Sequence, residues 1–302
     1  MRKYTIGLLL MLGFQQISLA QTEDTDAFFI KSLYDEALSN PVGYHWLGHL
    51  CEGIGGRLAG SPGAAAAVDY TAQVMDTIGL DTVYMQACDV PHWERGDTEI
   101  VRIVNSSSQG TVDLGGLALG NSFGTGPAGL TAEVVEVKTL DEVEELGAQN
   151  LAGKIVFFNR PMDPTQLRTF NAYGGAVDQR VWGASKAAAA GAVAVLVRSM
   201  TTRLDDEPHT GTLVYNEDHP KIPAIAISTK DANLLSQLLN QENVEIFMRN
   251  TSRMLQPKRS YNVVGEIRGS THPDEIIAVG GHLDSWDVGQ GAHDDGSGCV
   301  HS

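Results

Sequence analysis

The chain has 302 residues, of which 42% are hydrophobic and 33 are glycine. At roughly 150 residues per domain that length suggests about two domains with real cores, and the composition is neither that of a disordered chain nor that of a collagen-like one. The 37 acidic residues outnumber the 21 basic ones, for a formal net charge of −16, which excludes a general nucleic-acid binder because neutralising phosphates needs a basic face.

The first twenty residues read as a signal peptide. Arg2 and Lys3 precede the apolar run Ile6 to Phe14, and Ser18-Leu19-Ala20 ends in the small-x-small pattern of a cleavage site. Nine apolar residues are too few to span a bilayer, which takes about 20. The expectation is a secreted chain, periplasmic or extracellular, with no membrane span. Cleavage after Ala20 removes two cations and no acids, leaving 19 basic and 37 acidic residues and a net charge of −18. Cys51, Cys88 and Cys299 are the three cysteines. In an oxidising compartment Cys51 and Cys88 could pair, and buried free thiols fit equally well. No CxxC occurs, so a cysteine-based zinc or redox motif is excluded. Asn105-Ser106-Ser107 and Asn250-Thr251-Ser252 match the N-glycosylation pattern, which bears only on a eukaryotic chain.

Apolar residues at Phe28, Phe29, Leu33 and Leu38 predict an amphipathic helix from Asp26 to about Leu38, and Trp46, Leu47, Leu50 and Ile54 a second from Val42 to Ile54 that ends at Gly55-Gly56. Ser61 is a natural N-cap with Pro62 at the first helical position, opening a helix through Val68, Ala72, Met75 and Ile78 that stops at Gly79. Strands are expected at Thr82–Val90 and Glu99–Val104, followed by a Ser/Gly/Thr-rich stretch from Asn105 that reads as loop or boundary. Beyond it come a strand at Ala132–Val137, a helical turn at Asp141–Leu146, a buried strand at 153–158, an Ala-rich helix at Ala184–Ala190 and a strand at Ala192–Val197. One more strand (221–227), one more helix (Asp231–Leu239) and a strand at Tyr261–Ile267 follow, then an apolar strand at 275–281 ending in glycines. The pattern predicts an α/β protein of two modules, residues 110–255 being inserted into a domain that spans 21–109 and resumes at 256–302.

The chemistry is concentrated in Gly281–Gly298. The stretch follows an apolar strand, and open α/β sheets bind ligands at the carboxyl ends of strands. His282 and Asp284 are two apart, so strand alternation points both the same way, and a metal-binding histidine needs its second ring N–H held, commonly by a carboxylate. Asp294 offers two oxygens that could bridge two cations. Imidazole plus carboxylate without thiolate suits zinc in a hydrolytic site. Taken singly, His-x-Asp also fits a surface histidine, and Asp-Asp-Gly-Ser-Gly a solvated turn. Their conjunction leaves a metal site and a solvated loop both open.

This stretch resembles the metal-binding segment of the co-catalytic di-zinc exopeptidases, and Trp286 to Gln290 favours their carboxypeptidase branch. Pro91-His92-Trp93-Glu94-Arg95-Gly96, Gly153-Lys154-Ile155-Val156, Pro208-His209-Thr210-Gly211 and Lys221-Ile222-Pro223 look like the same family in the same order, so the resemblance covers nearly the whole mature chain. The inserted module resembles a protease-associated domain. The resemblance implies a mixed sheet with helices on both faces, incomplete here, and a pair of zinc ions. In it His282 ligates one zinc, Asp294 bridges both, Asp284 orients His282, and the Asp294–Asp295 peptide bond is cis. His293 stands where close relatives carry an apolar residue and is not counted as a ligand, Cys299 packs a helix, and Glu142, Glu144 and Glu145 read as a solvated helix face.

The implied activity is a secreted zinc metallocarboxypeptidase or dipeptidase that hydrolyses small peptides with a metal-activated water. An aminopeptidase of the same superfamily and a non-catalytic, receptor-like relative are the alternatives, and a homodimer is implied as an assembly. The family's glutamate base and its remaining ligands fall after the Asp-Asp step, past Ser302. On that reading the 302-residue chain by itself neither holds zinc tightly nor hydrolyses peptides.

Overall fold

A computed structural model describes residues 24–302, and the expected signal peptide lies outside them. In chain order the first elements are α1 (Thr25–Ser39), α2 (Val42–Gly48) running into a π-helical turn (His49–Ile54), α3 (Pro62–Met75), β1 (Thr82–Glu94), β2 (Ile100–Ser106), β3 (Gly110–Leu114) and β4 (Gly116–Ala118). Then come β5 (Leu130–Val137), α4 (Leu140–Leu151), β6 (Ile155–Phe158), α5 (Thr169–Gly174), α6 (Asp178–Ala189), β7 (Ala194–Arg198), β8 (Ala224–Ile227), α7 (Thr229–Leu239) and β9 (Glu245–Arg249). The chain closes with β10 (Arg253–Glu266), a second π-helical turn (Ala292–Gly296) and α8 (Ser297–His301). It divides into two compact units, Ala87–Asn262 and the remainder on either side of it. No described helix is long and apolar enough to cross a membrane.

The unit from 87 to 262 is built on an eight-stranded mixed sheet, ordered β3-β2-β9-β5-β6-β7-β8-β4. Its centre, β5 to β8, is parallel and both flanks are antiparallel. Strand alternation gives each face its own core. Val156, Phe158, Val195 and Val197 face Val143 and Leu151 of α4 and Ala184, Ala187 and Ala188 of α6. Ile155, Phe157, Leu196 and Ile225 face Ala232, Leu235 and Leu238 of α7. Of the parallel strands, β6, β7 and β8 are buried on both sides, which is why they read as short unbroken apolar runs, whereas β5 is only partly buried and carries Glu133 and Glu136. The unit begins before the composition break at 110 because β2 is hydrogen-bonded to both β3 and β9.

The Ser/Gly/Thr-rich stretch is not all loop: Gly110–Leu114 and Gly116–Ala118 are strands, since Leu114 and Ala118 each supply a buried residue to a sheet edge. Asn250 of the second glycosylation pattern is buried, with Nδ2 donating to Ser122 Oγ at 3.2 Å and Oδ1 accepting from Ser252 N at 2.8 Å, so no glycan can be carried there in the folded chain. All three cysteines are free, and Cys51 is buried.

Glu242 closes the turn after β2. Its carboxylate accepts from Ser106 Oγ (2.6 Å), Ser107 N (2.8 Å) and Ser107 Oγ, and these hydrogen bonds, led by the Ser106 hydroxyl, pull its pKa down to about 2. An unfolded glutamate titrates near 4.3, as an approximate reference. The depressed group therefore adds stability that is complete above the unfolded value and is lost as pH falls toward 2. Glu242→Gln is expected to flatten the fall of the melting temperature between those two pH values. Parallel melting curves for the two proteins across that window would show the cluster to be inert.

In the other unit, Ser61 caps α3 as expected, its Oγ accepting from Ala64 N at 3.1 Å with Pro62 in the first turn. α1 is helical as predicted, yet it buries no residue. The strand expected at 275–281 does not form. A strand exists only through a ladder, and among the described residues no segment pairs with this one, leaving Ile276 and Ile277 90% and 93% exposed.

Candidate metal centre

Residues 281–302 bring His282, Asp284 and Asp294 together. His282 Nε2 lies 2.9 Å from Asp294 Oδ1, while Nδ1 lies 3.1 Å from the main-chain oxygen of Asp284 and 3.3 Å from its Oδ1. Both ring nitrogens face acceptors, Nδ1 the main-chain oxygen and carboxylate of Asp284 and Nε2 the carboxylate of Asp294, so the ring donates toward either side according to its protonation. Partial burial pushes the imidazole pKa down, and the hydrogen bond to Asp294 with the charge of Asp284 outweighs it, leaving His282 above the ordinary histidine value. The side chains of His282, Asp284 and Asp294 are 54%, 52% and 86% exposed, so the group opens to solvent.

The peptide bond between Asp294 and Asp295 is cis. The two neighbouring carboxylates act differently: Asp294 turns toward His282, whereas Asp295 turns back, its Oδ2 accepting from His282 N at 3.2 Å. Gly281 and Gly298 make room for it, since a Cβ on Gly298 would stand 2.2 Å from Asp295 Oδ1 and one on Gly281 2.6 Å from Oδ2. Asp295 thus ties the backbone of His282 to the start of α8. Cys299 Sγ donates to His282 O at 3.3 Å, its thiol pKa raised by burial and by the charge of Asp295. That thiol is a structural contact between α8 and the backbone of His282. His293 is exposed, and its main-chain oxygen accepts from Ser297 Oγ. Away from this loop, Glu142 accepts from Lys138 N and Glu144 pairs with Lys186 at the surface.

Two ligands of a tetrahedral zinc, each about 2.0–2.1 Å from the ion, stand roughly 3.3–3.4 Å apart. The His282–Asp294 pair stands at 2.9 Å, a hydrogen-bond length roughly 0.4–0.5 Å inside that spacing, and its nitrogen and oxygen donors are of the right kind. Among the described residues no group of three or more His, Cys, Asp or Glu side chains could hold a metal ion. The pair accordingly fits part of a zinc ligand set, with Asp284 holding the histidine. The buried Arg57, which binds the loop between Leu283 and Gly291, has no signal in the sequence, and Asp295 is marked there only by its place in the cis step, not by its contact with His282. Nothing in a one-chain sequence marks an arginine as buried.

Residues 262–302 match the model of peptidase family M28 and residues 127–235 that of the PA domain. Carboxypeptidase Q of Mus musculus is 38% identical over 260 residues, 86% of this chain and 53% of its own length. The chain spans about half the length of the curated relatives it matches. Among solved structures, a peptidase M28 precursor from Shewanella amazonensis SB2B superposes with a TM-score of 0.85 at 36% identity, over 91% of this chain and 61% of that one. A zinc aminopeptidase from Bacillus subtilis superposes with a TM-score of 0.56 at 26% identity, over 85% and 54% of the two chains.

Proposed function

We propose that this chain, which is similar to carboxypeptidase Q and matches the PA-domain and peptidase family M28 models in two separate segments, belongs to a secreted zinc carboxypeptidase or dipeptidase of small peptides. The observation that carries this is the 2.9 Å pairing of His282 Nε2 with Asp294 Oδ1, with Nδ1 held by Asp284. In this proposal residues 21–109 and 256–302 belong to the peptidase domain and 110–255 to the PA domain. His282 and Asp294 are metal ligands, Asp294 bridging two zinc ions, and the 1–20 segment directs export.

Zinc, when bound, supplies a Lewis acid for the scissile carbonyl and lowers the pKa of a bound water. This chain's own residues prepare for it. Asp284 lies against Nδ1 of His282 and orients the ring, so that Nε2, which faces Asp294, is the nitrogen that would bind a metal once it gives up its hydrogen. Asp295 holds the backbone of His282 against the first turn of α8. The exposure of Asp294 leaves its second oxygen open to another ion or to solvent.

The aminopeptidase reading draws on the Bacillus subtilis neighbour; the carboxypeptidase reading rests on higher identity with carboxypeptidase Q over nearly the same share of the chain. The full-length protein is expected to cleave unblocked dipeptides, to lose that activity to a chelator and to regain it with zinc. Hydrolysis of aminoacyl reporters without any cleavage of dipeptides would reverse the choice, and no hydrolysis of either substrate by zinc-replete protein would remove the peptidase reading.

A further inference from the structure

Arg57 is the largest fully buried side chain among the described residues. Burying a guanidinium costs several kcal/mol, of order, unless its hydrogens are taken up. Among the described residues they are taken up by backbone oxygens, with no carboxylate among the acceptors. Nε donates to Leu283 O at 2.8 Å, Nη1 to Leu50 O (3.1 Å), Gly55 O (2.9 Å) and Gln290 O (2.8 Å), and Nη2 to Gly291 O at 3.1 Å. The main chain adds a reciprocal pair: Arg57 N donates to Ser285 Oγ at 3.1 Å, and Ser285 N donates to Arg57 O at 3.1 Å.

These bonds connect three stretches that the sequence keeps far apart: the end of the π-helical turn at 50–55, residues 283–285 directly after His282, and residues 290–291 shortly before Asp294. Gly291 sits in the left-handed region with φ +60°, and a Cβ there would lie 2.3 Å from Ser285 Cβ and 2.7 Å from Arg57 Nη2. A Cβ on Gly56 would lie 2.8 Å from Asp287 O. The loop is thus closed onto the arginine with no spare volume. Buried apolar side chains of similar size often give equal or better stability than a buried charge, so stability alone does not call for an arginine here. A planar fork of five N–H groups can gather carbonyls from three segments, and a lysine ammonium cannot.

We infer that Arg57 is the positioning residue of the centre, holding both ends of the 283–291 loop so that His282 and Asp294 meet across it. The link to zinc rests on the function proposed above, whereas the holding of the loop does not. The test uses the full-length protein and three variants, Arg57→Lys, Arg57→Met and the milder Ser285→Ala. Zinc affinity is measured by competition with a chelator, and amide hydrogen exchange of residues 283–296 is followed in zinc-free protein. Arg57→Lys is expected to weaken zinc binding roughly 10–100-fold, the range typical of groups that orient ligands. Amides of 283–291 should exchange about tenfold faster or more while residues 87–262 exchange as in the wild type. Ser285→Ala should move both readouts in the same direction by less, and it decides the matter if the arginine variants fail to fold. Unchanged exchange in 283–291, or unchanged zinc affinity alongside a lowered melting temperature, would overturn the inference and leave Arg57 a core residue only. Wild-type protein that binds no zinc would refute the metal reading, and the exchange measurement would then decide on Arg57 by itself.

Discussion

Asp294→Ala in the full-length protein is expected to lower kcat/KM for dipeptide hydrolysis by about 10³-fold and to strip tightly held zinc. A metal acting as Lewis acid is worth several kcal/mol of transition-state stabilisation, and each 1.36 kcal/mol or so is tenfold in rate. The Asp294 side chain is 86% exposed and among the described residues hydrogen-bonds only His282, so its removal takes little from the fold. Loss of activity with an unchanged melting temperature between the zinc-free proteins is therefore the expected signature. Asp284→Asn should cost less, roughly 10–100-fold, because the residue acts through His282. Turnover of the Asp294 variant within about tenfold of the wild type, with zinc retained, would remove Asp294 from the ligand set.

Much of this centre can be read from eighteen consecutive residues. His282 and Asp284 lie two apart on an extended segment, and Asp294 returns to them after a glycine-bearing loop, so the chemistry is local in the sequence. What holds the loop is not local. Arg57 is 226 to 234 residues from the carbonyls it binds in 283–291, and its neighbours Gly56 and Leu58 give no periodic signal of burial. Asp295 beside Asp294 carries the same side chain, and only backbone geometry decides that one faces His282 Nε2 and the other its main-chain nitrogen. The helices were legible where a cap or a glycine marked them, as Ser61 does for α3. β3 and β4 were not, because short edge strands take their stability from partners such as β2 and β8 and need little apolar character of their own. The reverse holds for 275–281, where strong apolar character without a ladder leaves an exposed extended segment.

The largest effect on stability is expected at Phe158, at the centre of the eight-stranded sheet. It is fully buried, opposite Val137 of β5 and Val197 of β7, and its ring lies on Gly183 of α6, where a Cβ would approach Cε2 to 2.8 Å. Phe158→Ala should cost about 3–5 kcal/mol, lowering the melting temperature of the 87–262 unit by roughly 6–20 °C at 2–4 °C per kcal/mol. The glycine beneath the ring makes the prediction sharper. In the wild-type background Gly183→Ala gains about 1 kcal/mol of helix propensity but overpacks against an aromatic ring fixed between two strands, a conflict costing about 1–3 kcal/mol. In the Phe158→Ala background the conflict is gone and the new methyl enters the hole, so the same substitution should stabilise. Calorimetry of the two single variants and the double variant measures the coupling. A shift of the same sign and size for Gly183→Ala in both backgrounds would mean that α6 and β6 do not meet at this point, and the packing assigned to that face of the sheet would have to be abandoned.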